Sequence, residues 1–144
     1  MKHMIIGIMV LTVLSISSPC FSQDFDSVHV YAVYLKSQYR VKIDKDLIKN
    51  EVEPIILKGK HQANALYSTL NGSIKKGKAS KLTSNQLDIR LLFEFFKQDE
   101  VAQTIGLTSY NTIFFDYNLY AYDRSSLKYL DRYIPELSQK LGLK

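Results

Sequence analysis

Hydrophobic and polar positions change period several times along the chain, and each change marks an element. From Leu87 to Phe96 the odd positions Leu87, Ile89, Leu91, Phe93 and Phe95 are all apolar. The even ones, Asp88, Arg90, Leu92, Glu94 and Phe96, are mixed. One continuous apolar face at period two predicts a strand whose odd side chains face a core. Asp88, Arg90 and Glu94 are then expected on the other face as a surface ladder of opposite charges, worth under about 1 kcal/mol. The apolar density continues to Asp123 as a meander of four antiparallel strands. Lys97-Gln98-Asp99-Glu100 reads as a tight turn, Val101–Leu107 as a strand with Gly106 as a bulge, and Thr108-Ser109-Tyr110-Asn111 as a second turn. Thr112–Phe115 and Leu119–Tyr122 flank Asp116-Tyr117-Asn118, whose Asp and Asn suit the positive φ of a hairpin connection.

Upstream, Val28–Leu35 is apolar on both parities, the pattern of a strand covered on both faces. Lys36-Ser37-Gln38 reads as a turn. Tyr39-Arg40-Val41-Lys42-Ile43 alternates apolar and basic residues, which predicts a half-exposed second strand with Arg40 and Lys42 in water. Pro54 rules out a continuous helix through Leu47–Leu57 and makes Val52-Glu53 extended. From Lys60 to Asn71 the period becomes helical, with Ala63, Leu66, Tyr67 and Leu70 on one face, and Asn71-Gly72 reads as its stop. Residues 73–85 form a basic Ser/Lys-rich loop carrying Lys75, Lys76, Lys78 and Lys81.

At the C-terminal end Leu127, Leu130, Ile134, Leu137 and Leu141 make an unbroken helical stripe, with Asp123 or Ser125 as its N-cap. Pro135 must kink or restart that helix, because it has no N–H to return to Asp131. These elements predict an α+β fold. Two N-terminal strands and the four-stranded meander form an antiparallel sheet, and two helices pack on one of its faces.

The first 23 residues stand apart. Lys2 supplies a positive start, Ile5–Ile16 is an apolar run of twelve, and a Ser/Pro/Cys/Ser segment follows. That is the layout of a cleaved signal peptide, with cleavage near Ser22 or Gln23. As a helix the run rises only about 18 Å, against a bilayer core of roughly 30 Å, so no stable membrane span is expected after cleavage. A lipid anchor at Cys20 is disfavoured because Pro19 stands where a lipobox needs a small residue. The remaining 24–144 is then one domain without cysteine, expected in the periplasm or secreted, and held by its core alone.

Composition narrows the function without naming it. The formal charge of +5 is mild, and basic residues are not interleaved with stacking aromatics, so nucleic acid is not an expected partner. Beyond residue 23 only His29 and His61 remain as histidines, with no HxxxH, no calcium loop and no phosphate-binding glycine motif. No cofactor, metal or catalytic residues are expected, and no motif ties the chain to a family. The one unusual resource is tyrosine. Tyr110, Tyr117, Tyr120, Tyr122, Tyr129 and Tyr133 crowd the last hairpin and helix, near Arg124 and Arg132. Tyr and Arg give large contact area at low entropic cost, which makes Tyr117, Arg124, Tyr120, Tyr122 and Arg132 the expected contact residues for another protein. The expected function is a small non-catalytic binding protein of the cell envelope, in concrete form an immunity or inhibitor protein. The alternatives are a self-associating envelope component and a small ligand carrier or enzyme.

Overall fold

The computed structural model describes residues 23–35, 41–74, 79–81, 88–116, 118–122 and 124–142, with no side-chain description for 79–81 and 124–126. Residues 1–22 of the expected signal peptide, the Lys36–Gln38 turn, Tyr39, Arg40, Tyr117 and the expected N-cap Asp123 lie outside this description, as does the side chain of Ser125.

Strands β1 (Ser27–Ala32), β2 (Ile55–Lys58), β3 (Ala79–Lys81), β4 (Ile89–Lys97), β5 (Glu100–Thr108), β6 (Thr112–Phe115) and β7 (Asn118–Ala121) form one antiparallel sheet in the order β2-β1-β4-β5-β6-β7-β3. Between them run helices α1 (Lys45–Glu51) and α2 (Lys60–Ile74). A 3-10 helix (Arg124–Arg132) and α3 (Leu137–Lys140) follow. The α+β architecture with its antiparallel meander is as the hydrophobic pattern predicts. The turns agree too: Gln98 and Asp99 take φ of 51° and 63°, and Asn111 and Asp116 take 58° and 45°. These are positions where Asn and Asp are tolerated better than most residues.

Several expectations change. Val41–Ile43 is not a strand. Ile43 is fully buried, and its N–H reaches the Asp88 carboxylate while its C=O accepts from Ile89. The second N-terminal strand is instead β2, which Pro54 precedes, and the extended Val52 ends α1. Asn71-Gly72 does not stop α2. Continuing one turn buries Ile74 (4 % exposed) beside Leu70, and burying an isoleucine contributes about 1.5–3 kcal/mol against roughly 1 kcal/mol for a helical glycine. The basic loop of 73–85 contains β3, which pairs with β7 as an edge strand.

The bulges fall elsewhere than Gly106. Ile89 opposes Thr108 and Leu91 opposes Leu107, leaving Arg90 as the extra residue. Phe95 opposes Gln103 and Phe96 opposes Val101, leaving Ala102 extra. Gly106 keeps its register opposite Leu92, and the Ile89 side chain packs over it at 3.6 Å from where a Cβ would stand. The Arg90 bulge switches the faces. Leu91, Phe93 and Phe95 join the main core with α2, whereas Ile89 joins Leu92, Tyr31, Val33, Ile43 and Ile48 under α1.

The main core lies on one face, where Val28, Val30, Phe93, Phe95, Ile105 and Ile113 meet α2 and the C-terminal segment. Phe25 closes it, with its ring 4.9 Å from Tyr67 and 5.0 Å from Phe95. The C-terminal stripe is buried as predicted, but Leu127 and Leu130 sit in the 3-10 helix and Leu137 in α3. The restart at Pro135 is bridged by Asp131, whose carboxylate accepts from Ser138 N (2.9 Å) and Ser138 Oγ (2.6 Å).

Candidate functional site

The other face of the sheet is only partly covered. Helix α1 is capped by Asp44, whose Oδ1 accepts from Asp46 N and Leu47 N, and it lays Ile48 over the end of the sheet near Tyr31 and Leu92. Beyond α1, Ile56 and Val101 stand exposed on this face.

Charges expected in water are buried at this end. Asp88, Arg90 and Glu94 are 7, 4 and 6 % exposed. The surface-ladder expectation fails because β4 is a central strand, flanked by β1 and β5, with helices over parts of both faces. Arg90 Nη2 donates to Asp88 Oδ2 at 2.7 Å, and Asp88 Oδ1 accepts from Ile43 N at 3.1 Å. Burial alone would raise the Asp88 carboxyl, yet the hydrogen bonds from Ile43, Arg90 and Ser109 hold it below the ordinary aspartate value. Lys49 of α1 donates to Glu94 Oε1 at 2.9 Å, which raises the lysine above its ordinary value. Burial raises the Tyr31 phenol, and the adjacent Glu94 carboxylate adds to it. These pairs join α1 and the 41–44 segment to the sheet.

Next to them runs an apolar strip across four strands. Ile56 of β2 stands opposite His29 of β1, the His29 ring lies 4.3 Å from the Phe96 ring of β4, and Phe96 stands opposite Val101 of β5. Ile56 and Val101 are each 46 % exposed, while His29 and Phe96 are half-buried. Directly opposed residues share a face, so all four look away from the main core.

Val101 also borders a hollow of about 200 Å³ over β5 and β6, lined by Lys45, Gln103, Thr104, Phe114 and Asp116 among others. Phe114 is buried, and the Lys45 and Asp116 side chains are exposed. Gln103 Nε2 donates to Asp116 Oδ1 at 3.4 Å.

Of the expected contact residues, the side chains of Tyr120, Tyr122 and Arg132 are described and differ in exposure. Tyr117 and the Arg124 side chain lie outside the description. Tyr122 is buried at 8 %, within the main core, and the half-buried Tyr120 packs against that core. Arg132 is exposed, with its guanidinium 5.7 Å from the ring of Tyr129, which is 59 % exposed. Tyr133 instead shares a hydrogen bond with Thr69 of α2 at 3.2 Å. Sequence reasoning missed the strip, because Ile56, His29, Phe96 and Val101 become neighbours only through strand pairing. Phe96, an aromatic residue on the mixed parity of its strand, was the one local signal.

Among the described residues, no group of three or more His, Cys, Asp or Glu is placed to hold a metal ion, and no helix is long and apolar enough to cross a membrane. Compared with known proteins, the chain matches no family model, no curated protein and no solved structure.

Proposed function

We propose that the protein is an exported, non-catalytic binding protein that acts by protein–protein contact through the open face of its sheet, in the form of an envelope immunity or inhibitor protein. The observation that carries this reading is the strip Ile56–His29–Phe96–Val101, an apolar and aromatic band exposed at Ile56 and Val101 and lying beside buried ion pairs. A contiguous apolar band rimmed by polar groups is what a protein contact uses. Export is supported by the apolar run at Ile5–Ile16 behind Lys2.

The alternatives draw less support. Self-association through a sheet edge needs a long, flat edge strand. Here β2 has four residues, follows Pro54 and ends in Lys58, and β3 has three and ends in Lys81. Short, lysine-bearing edges resist pairing, and at β2 the preceding proline adds to that. A ligand carrier needs a pocket of roughly 300–1,000 Å³, larger than the hollow beside Val101.

The test is affinity capture from envelope extract, with the full chain expressed and tagged at its C-terminus. The wild type is expected to retain one stoichiometric partner, and the Ile56→Asp/Val101→Asp variant to lose it. Both positions are about half exposed, so the variant should lose under about 1 kcal/mol of stability. Undiminished capture by the variant removes the sheet face from the reading. Recovery of the bait alone as a defined oligomer transfers the reading to self-association.

A further inference from the structure

We propose that the hollow beside Val101 receives a tyrosine side chain projected by the protein partner. This rests on the sheet face being the partner surface, and it adds the chemistry of the contact. A volume of about 200 Å³ suits one large side chain and not a drug-sized ligand. Its lining selects among large side chains. Phe114 is buried and offers an aromatic surface, on which a second ring gains more than an aliphatic chain does. The exposed groups around it carry opposite charges, the Lys45 ammonium and the Asp116 carboxylate.

A guanidinium entering the hollow would lose beside Lys45 what it gains from Asp116, and a carboxylate the reverse, so the paired charges favour neither ion. The indole N–H of tryptophan could serve Asp116 and leave Lys45 unanswered, because it donates only. A phenol both donates and accepts, so its O–H can give a hydrogen bond to Asp116 while accepting one from Lys45. The Thr104 hydroxyl, in the same lining, adds a further polar partner. Large aromatic side chains seated in interface pockets next to an apolar surround are where binding energy concentrates, and the strip through Val101 supplies that surround.

The probe is p-cresol, the tyrosine side chain by itself, with toluene as the same ring without the hydroxyl. Both are titrated into the isotope-labelled full-length protein and followed by amide NMR. p-Cresol is expected to shift the amides of Val101, Gln103, Thr104 and Phe114 saturably, about tenfold tighter than toluene, the weight of one hydrogen bond to a charged group. Lys45→Met and Asp116→Asn should each reduce that preference, because each removes one charged partner of the hydroxyl, while leaving toluene binding unchanged. Asn accepts the positive φ at position 116, so neither variant threatens the fold. Absence of saturable shifts, or equal binding of the two probes, overturns the proposal. That failure is separable from failure of the functional reading, because capture by a single Ile56→Asp variant, at a position outside the lining of the hollow, reports on the face independently of it.

Discussion

Replacing Asp88 by alanine separates a buried role from a surface one. As a surface charge its loss would cost under about 1 kcal/mol. In the structure the residue is 7 % exposed and receives Arg90 Nη2 at 2.7 Å and Ile43 N at 3.1 Å. Asp88→Ala deprives a buried guanidinium of its carboxylate and a buried N–H of its acceptor. Removing one partner of a buried pair costs about 3–5 kcal/mol, and the stranded N–H lies within that figure. About 4 kcal/mol is therefore expected from urea unfolding, a large part of the roughly 5–15 kcal/mol typical of a domain. The double variant Asp88→Ala/Arg90→Met should regain part of the loss, because the guanidinium is no longer buried without its carboxylate, while the Ile43 N–H still lacks its acceptor. In a double-mutant cycle the coupling should be about 2 kcal/mol. The sign with pH follows from the lowered Asp88 carboxyl. A folded value below the unfolded one contributes stability above about pH 4 that is lost as pH falls through the folded value, so Asp88→Asn should flatten the acid limb of stability. A loss under about 1 kcal/mol for Asp88→Ala, or an unchanged acid limb for Asp88→Asn, refutes the buried-anchor reasoning.

Two further outcomes are expected. Lys49→Met leaves the Glu94 carboxylate, whose side chain is 8 % exposed, without its ammonium. Because Lys49 is itself 37 % exposed and water-screened, the cost should be about 1–2 kcal/mol, read as faster hydrogen exchange at the α1 amides. Unchanged exchange would mean that Ile48 burial holds α1 unaided. Phe25→Ala removes a ring packed on Tyr67 and Phe95, at 2 % exposure, and should cost about 3–5 kcal/mol in urea unfolding. A cost near that of a surface substitution would place the start of the chain outside the cooperative core.

Much of the fold was legible because its signals are local. The Leu91, Phe93 and Phe95 part of the odd-position stripe of β4, the helical face of Ala63, Leu66, Tyr67 and Leu70, and Asp116 at positive φ each act within a few residues, whereas Ile89 turns to the other face and Asn118 enters β7. What misled was also local. Gly72 is a good helix stop by propensity, but burial of Ile74 overrides it. Gly106 invites a bulge, yet the extra residues are Arg90 and Ala102, neither of which has a distinctive conformational signature. The expected tyrosine cluster rested on proximity in sequence, which gave no means of separating the buried Tyr122 from the exposed Tyr129.

The sequence by itself determined the α+β class, the meander with its turns, and the stripes that pack on the main core face, because periodicity and turn chemistry are properties of neighbouring residues. Only the tertiary structure decided that β2 and β1 flank one side of β4, and hence that Asp88, Arg90 and Glu94 lie inside. It also decided that Ile56, His29, Phe96 and Val101, drawn from four strands, share one open strip. Burial and adjacency across a sheet depend on strand order and register, and these are set by contacts between residues tens of positions apart.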